Sequence, residues 1–509
     1  MDLFTSAAVL QCSISYKVCY LLLAFLFPFC QTLLARAPAL VPLSPFVSIL
    51  NAPTELCMKK FKINVDIGLF QMTGSTLRSS RGQNISLFYT DRLGYYPYIN
   101  LTTGQSYNGG IPQMVNMDQH LKKAKEDILY YMPYSTQKGL AVIDWEDWRP
   151  SWIRNWASKT IYRDKSIEFA LKNDLTLNKE KATEVAKAQF EFAAKSLMLN
   201  TLKLGKSLRP EYLWGFYNFP NCQNYDYNQH PDTYNGNCPD IEKSRNDELS
   251  WLWIESSVFY VNIYLESSLK SKNNAALYSR CRIQETMRLS SLSNSSYSLP
   301  IYAYFRPVYT DQYEEYLSKY DLINTIGESA ALGAAGFILW GDTELTVSER
   351  TCTALNNYLI DILNPYIINV TLAAKLCSAA LCQNNGACVR KQWNSHNYLH
   401  LNGNNMIIEQ KFGSYSVRGQ PTLADLEQFA DRFTCDCYVG SNCKVPSDFS
   451  TLGQINICIK QNICINASFT INTNPNIKTV DLSTPTSAST NKSQLFSNVL
   501  FLVFIFVLC

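Results

Sequence analysis

From about residue 40 to residue 365 the chain alternates short apolar or aromatic runs with longer amphipathic ones. Ile85–Tyr89, Leu140–Asp144, Leu213–Tyr217, Ile301–Phe305 and Gly336–Trp340 are of strand length and lack the polar alternation of a half-exposed sheet. Such runs read as strands buried on both faces. Between them lie helical patterns. Lys179–Leu204 carries Ala186, Phe190, Ala193 or Ala194, Leu197 and Leu204 at helical spacing, with Gly205 placed to end it. Asp321–Leu332 is a second, followed by Gly333. Buried strands alternating with helices over this length predict an α/β fold, a (β/α) barrel. An open doubly wound sheet is the alternative, though no GxGxxG follows the first strand to suit a nucleotide-binding version of it.

From Cys377 the character changes. Cys377, Cys382, Cys388, Cys435, Cys437 and Cys443 are closely spaced except for one long insertion. Cys435–Cys443 has the look of an epidermal-growth-factor-like module. A unit this small has too little core and needs covalent staples. Cys458 and Cys464 are placed to close a further small loop, and the residues after about 470 read as a polar stalk.

Both ends carry apolar runs. Lys17 precedes Val18–Phe29, and small and polar residues then lead to Ala35-Arg36, the pattern of a signal peptide cut near Ala35. The alternative, an uncleaved anchor, would need a longer run without Pro28. Leu495–Cys509 is a terminal apolar tail behind a Ser/Thr-rich segment containing Ser487-Ala488-Ser489. That order is a glycosylphosphatidylinositol signal, with a short tail anchor as the alternative. N-x-Ser/Thr sequons at Asn84, Asn100, Asn294, Asn369, Asn466 and Asn491 agree with export, as do 17 cysteines.

A net charge of +3 does not suit a nucleic-acid binder. The four histidines, His120, His230, His396 and His400, form no ligand motif, and no zinc-ribbon CxxC is present, so neither metal nor cofactor is expected.

One segment carries chemistry. In Val142–Pro150 a buried-type strand runs straight into Asp144, Trp145, Glu146, Asp147, Trp148 and Arg149. Residues i and i+2 of a strand share a face, so Asp144 and Glu146 project together with Cα atoms roughly 6–7 Å apart. Two adjacent carboxyls in an apolar setting cannot ionise equally, and one keeps its proton as a general acid must. The C-terminal end of a barrel strand is where catalysis sits. The 31 tyrosines and 9 tryptophans supply faces on which sugars stack. A lone D-x-E is otherwise a solvated loop or a structural ion pair.

Gly139–Pro150 resembles the catalytic segment of the animal hyaluronidase family. So do Leu213–Pro220 and Ile326–Gly336, and Asn364–Lys375 joins two domains as in that family. The subgroup it resembles most is the sperm-surface, lipid-anchored one. The resemblance implies a distorted, TIM-like (β/α) barrel over 36–365 after a signal peptide at 1–35. It places an EGF-like module at 366–445, an extension and stalk at 446–487, and a removed anchor signal at 488–509. It also implies cleavage of β-1,4 bonds after N-acetylglucosamine in hyaluronan by substrate-assisted retention, in sperm penetration of the egg investment. Glu146 would be proton donor and base, Asp144 would orient the substrate acetamido group, and Tyr217 would hold it. Tyr89, Tyr264 and Trp340 would shape the cleft, and Arg282 would bind a substrate carboxylate. Implied disulfides are Cys57–Cys352, Cys222–Cys238, Cys377–Cys388, Cys382–Cys435 and Cys437–Cys443.

Three residues depart from the family pattern. Cys281 is left unpaired, Val261 stands where Pro is frequent, and Asp342 adds a negative charge beside Trp340. Chondroitin, which also carries an N-acetylhexosamine, is the alternative substrate. A surface adhesion protein with minor catalysis is the third reading.

Overall fold

The computed structural model describes residues 34–469 except 294, 295 and 412. Residues 1–33 of the expected signal peptide, the stalk beyond 469, the anchor signal and the sequons at Asn294 and Asn491 lie outside the described residues. Parallel strands β1 (Val47–Asn51), β2 (Met72–Gly74), β3 (Ile85–Phe88), β4 (Gly139–Ile143), β5 (Tyr212–Phe216), β6 (Phe259–Asn262), β7 (Ile301–Phe305) and β8 (Gly336–Trp340) form two arcs. Their orders are β2-β1-β8-β7-β6 and β3-β4-β5.

The arcs close on each other. On one side Ser257 N donates to Trp214 O at 3.0 Å and Asn218 N to Tyr260 O at 3.0 Å. On the other, β2 lies against β3. Each seam needs a residue without a Cβ, which at Gly215 would stand 2.5 Å from Val258 O and at Gly74 2.5 Å from Ile85 O. No helix separates β2 from β3. The fold is therefore a distorted (β/α) barrel, and the open doubly wound sheet is excluded because both edges are met.

Strand residues alternate between two cores, as the two-residue period of a strand requires. Ile49, Leu87, Val142, Tyr260, Tyr304 and Ile338 fill the barrel. Leu50, Phe88, Ile143, Phe216, Phe305 and Leu339 face the helices. Val261 also points to the helix layer, away from the barrel interior.

Outside the barrel lie α1 (Met117–Tyr131), α2 (Thr160–Asn173), α3 (Lys179–Leu208) and α4 (Asn273–Ser293). In α3 the buried stripe includes Ala186, Phe190, Ala194 and Leu197, while Leu204 is only half-buried. Gly205 does not end this helix, which runs on to Leu208. Gly205 is instead a contact residue: a Cβ there would sit 2.7 Å from the Trp214 ring. The Asp321–Leu332 pattern forms Lys319–Leu322, a wider turn at Ile323–Gly327, and Glu328–Ala331, stopped by Gly333 at φ +91°.

Helix α5 (Glu349–Tyr358) continues through a wider turn at Leu359–Leu363 into α6 (Asn364–Cys382). The resulting 34-residue helix is long and apolar enough to cross a membrane, but 83% of its apolar window is buried inside the protein. It is a core helix, and residue 365 falls within it.

The cysteine-rich part builds directly on α6. Strand β9 (Gly386–Arg390) pairs antiparallel with β12 (Phe433–Cys437). The long insertion folds into a hairpin of β10 (Met406–Lys411) and β11 (Ser414–Gly419), then α7 (Leu423–Arg432). A last hairpin joins β13 (Gln454–Lys460) and β14 (Ile463–Ser468). Disulfides connect Cys57–Cys352, Cys222–Cys238, Cys377–Cys388, Cys382–Cys435, Cys437–Cys443 and Cys458–Cys464. Cys281 is a buried free thiol, pushed up to about 11 by burial. The one cysteine group close enough to hold a metal among the described residues, Cys435, Cys437 and Cys443, is wholly disulfide-bonded.

A buried ion cluster fastens this part to the barrel. The Glu328 carboxylate accepts from Arg280 Nη2 at 2.7 Å, Arg390 Nη2 at 2.6 Å and Tyr398 Oη at 2.9 Å. Arg280, Glu328 and Arg390 are all buried to within 2% of complete.

Of the described sequons, Asn84 and Asn466 are exposed. Asn100 caps its own turn, accepting from Thr102 N and Thr103 N. Asn369 is half-buried on α6 and accepts from Leu401 N at 3.3 Å.

Candidate active site

The strand period that points Val142 into the barrel points Asp144 the same way, just past the C-terminal end of β4. Trp145 turns outward into the helix layer, where Tyr96 lies 4.7 Å away and Phe216 5.7 Å away, ring to ring. That anchor fixes the direction in which the chain leaves the strand. Asp144 and Glu146 then wall one pocket of about 160 Å³, with Leu87, Tyr217, Tyr264, Tyr304, Arg306 and Trp340.

The two carboxyls have different surroundings. Burial and, after it, the negative charge of Glu146 hold Asp144 well above the usual carboxylate range. The Glu146 side chain is 43% exposed. It accepts from Arg149 Nη2 at 3.0 Å and Asn218 Nδ2 at 3.3 Å. Asn218 is held at φ +58° directly after Tyr217.

The aromatic wall is ordered by hydrogen bonds. Asn262 Nδ2 donates to Tyr217 Oη at 2.8 Å, and Asn262 Oδ1 accepts from Tyr264 N at 2.8 Å. The Tyr217 and Tyr264 rings lie 6.3 Å apart, centroid to centroid. Burial holds both well above the ordinary phenol value, so they remain protonated. Trp340 stacks on Tyr264 at 6.1 Å and donates from Nε1 to Tyr89 Oη at 3.2 Å.

Five of the expected residues, Asp144, Glu146, Tyr217, Tyr264 and Trp340, thus line one pocket. Tyr89 stands behind Trp340. Arg282 does not reach the pocket, which corrects its expected contact with a substrate carboxylate. It is 2% exposed, sandwiched by Tyr225 and Tyr278, and its donors serve Asn224 Oδ1 at 2.9 Å and Asn262 O at 3.0 Å. Its place is behind Asn262. Asp342 is likewise not a free charge over the cleft: Arg306 Nη2 donates to it at 3.3 Å, and Arg306 lies over the Trp340 ring.

Arg306, Tyr304, Asn262 and Asn218 were not singled out from the sequence. Arg306 and Tyr304 follow or end an apolar strand, the position from which barrel residues reach a site. Asn262 likewise ends β6, but Phe259–Asn262 was not among the runs read as strands.

The closed barrel and the paired carboxyls at its C-terminal mouth define a glycosidase. The chain belongs to the hyaluronidase family, whose family model, described as Hyaluronidase, matches residues 35–447. It is 47% identical over 484 residues to hyaluronidase PH-20 of Macaca fascicularis, covering 94% of this chain and 93% of that one. It is 51% identical over 439 residues to hyaluronidase-5 of Mus musculus, covering 86% and 83%. Among solved structures, bee venom hyaluronidase in complex with a hyaluronic acid tetramer matches with a TM-score of 0.56 and 27% identity, covering 63% of this chain and 98% of that chain.

Proposed function

We propose that this chain is a cell-surface hyaluronidase that hydrolyses β-1,4 bonds after N-acetylglucosamine with retention, using the substrate acetamido group as nucleophile. The observation that carries the reading is the pairing of one enclosed carboxyl, Asp144, with one open, hydrogen-bonded carboxyl, Glu146, in a single pocket walled by Tyr217, Tyr264 and Trp340.

The acetamido group fits the enclosed end. Its N–H faces Asp144 and its oxygen is directed at the anomeric carbon by the Tyr217 hydroxyl. An acetamido N–H is best accepted by an ionised Asp144, and the general-acid step requires the proton on Glu146. Glu146 donates that proton to the glycosidic oxygen as the acetamido oxygen bonds to the anomeric carbon and the leaving sugar departs. Glu146, now ionised, takes a proton from water, which adds to the same carbon and restores the acetamido group. Two displacements give net retention, with no protein–sugar bond.

The expected signal peptide and terminal apolar tail support a glycosylphosphatidylinositol-held protein on the outer cell face. The resemblance to sperm-surface members supports work on the hyaluronan-rich egg investment. Glu146→Gln tests the chemistry: the secreted, folded variant is expected to lose hyaluronan hydrolysis, and full activity would refute the assignment. Parallel digestion of chondroitin sets the preference. Release from cells by a phosphatidylinositol-specific phospholipase tests the anchor, and retention would indicate a peptide anchor.

A further inference from the structure

A second cavity, of about 350 Å³, lies beside the acetamido pocket; Arg149, Arg154, Trp156, Lys159, Gln223 and Arg245 are in its wall. One ion pair divides the two. Glu146 faces the first cavity, Arg149 faces the second, and they meet at 3.0 Å.

The second cavity is strongly cationic. Glu242 is the one carboxylate in its wall, and it is shared by Arg154 and Arg245. Lys159 donates to the carbonyl oxygens of Glu146 and Asp147, and no carboxylate lies within ion-pair distance of it among the described residues. Arg154 is 8% exposed, and its Nε has no hydrogen-bond partner among the described residues. Trp156 is 57% exposed at the rim.

Position gives the cavity a role. Glu146 protonates the oxygen between the sugar held by the acetamido pocket and the next sugar. That next sugar therefore lies past Glu146, on the Arg149 side. In a chain cut after N-acetylglucosamine, it is a uronate with a carboxylate at C6. We infer that this cavity is the subsite for the leaving uronate, with Lys159, Arg154 and Arg245 receiving its carboxylate and Trp156 covering a ring face. The inference rests on the hyaluronan reading and deepens it, because a neutral N-acetylglucosamine polymer would gain nothing from these cations.

The test compares wild type, Arg245→Gln and Lys159→Gln on hyaluronan oligosaccharides, native and with the uronate carboxyls chemically reduced to alcohols. On native oligosaccharide, Arg245→Gln is expected to lower kcat/KM about tenfold, mostly through KM, as for a lost charge-assisted hydrogen bond. On reduced oligosaccharide, wild type and Arg245→Gln should agree within about twofold. Lys159→Gln should show the same dependence on the carboxyl. Variants equal to wild type on native substrate, or equal losses on both substrates, would overturn the inference. A wild type inert on native hyaluronan would instead overturn the functional reading.

Discussion

Arg149 Nη2 donates to Glu146 Oε1 at 3.0 Å, so the exposed member of the carboxyl pair carries a cation while Asp144 carries none at hydrogen-bond distance. Arg149 also lies over the Phe219 ring at 5.4 Å, which fixes the guanidinium from the far side. The same cation lowers the pKa of Asp144 against the opposing push of burial. Arg149→Gln is expected to move the acid limb of the kcat/KM profile to higher pH, because a carboxyl pair that loses its cation ionises later. A pH–rate series measures it. An unmoved or acid-shifted limb would contradict this role.

The route from Arg282 through Asn262 to Tyr217 predicts a positioning effect at a distance from substrate. Asn262→Ala should lower kcat about tenfold with little change in KM, since it loosens the group that aims the acetamido oxygen. Arg282→Lys should show a weaker loss of the same kind. A pure KM effect in either variant would instead indicate direct substrate binding.

Glu328 sits between two buried guanidinium groups. Glu328→Gln leaves both without their counter-charge, a loss of about 3–5 kcal/mol. Denaturant unfolding of the secreted variant, with hydrogen exchange in β9 and β12, measures it. Wild-type stability would show that the cluster contributes nothing to holding the cysteine-rich part on the barrel.

His120 is buried and His400 half-buried between Tyr366 and Tyr398, and loss of solvent lowers both values to about 4. His120 is neutral by its contacts: Nδ1 accepts from Tyr95 N at 3.0 Å, and Nε2 meets Thr201 Oγ1 at 2.8 Å. As pH falls below 6.5 the unfolded chain takes up these protons and the folded chain does not, so stability falls between about 6.5 and 4. Each histidine should cost about 2 kcal/mol by about pH 5. Urea unfolding at a series of pH values measures the slope. His400→Gln should flatten it, and an unchanged slope would refute the assignment to that residue.

What the sequence made legible was what local pattern controls. The five apolar runs formed barrel strands, and the strand period placed Asp144 and Glu146 on one side. Gly205 was misread because a glycine within a helix and one that ends it look alike until Trp214 is seen against it. Arg282 was misread because burial decides whether a guanidinium meets substrate or protein, and that depends on Asn224 and Tyr225, from a loop remote in the chain, closing over the face that Tyr278 supplies one turn earlier on the same helix. The neutralising of Asp342 by Arg306 was hidden for the same reason: the two lie at the ends of neighbouring strands, 36 residues apart.

The measurement that bears most directly on the account is the anomeric form of the first product. Hyaluronan oligosaccharide digested by the purified protein should show the β-anomer of the new reducing end in early proton NMR spectra, with the α-anomer growing only as mutarotation proceeds. An α-anomer appearing first would mean a single displacement by water and would contradict the acetamido nucleophile assigned to the pocket of Asp144 and Tyr217.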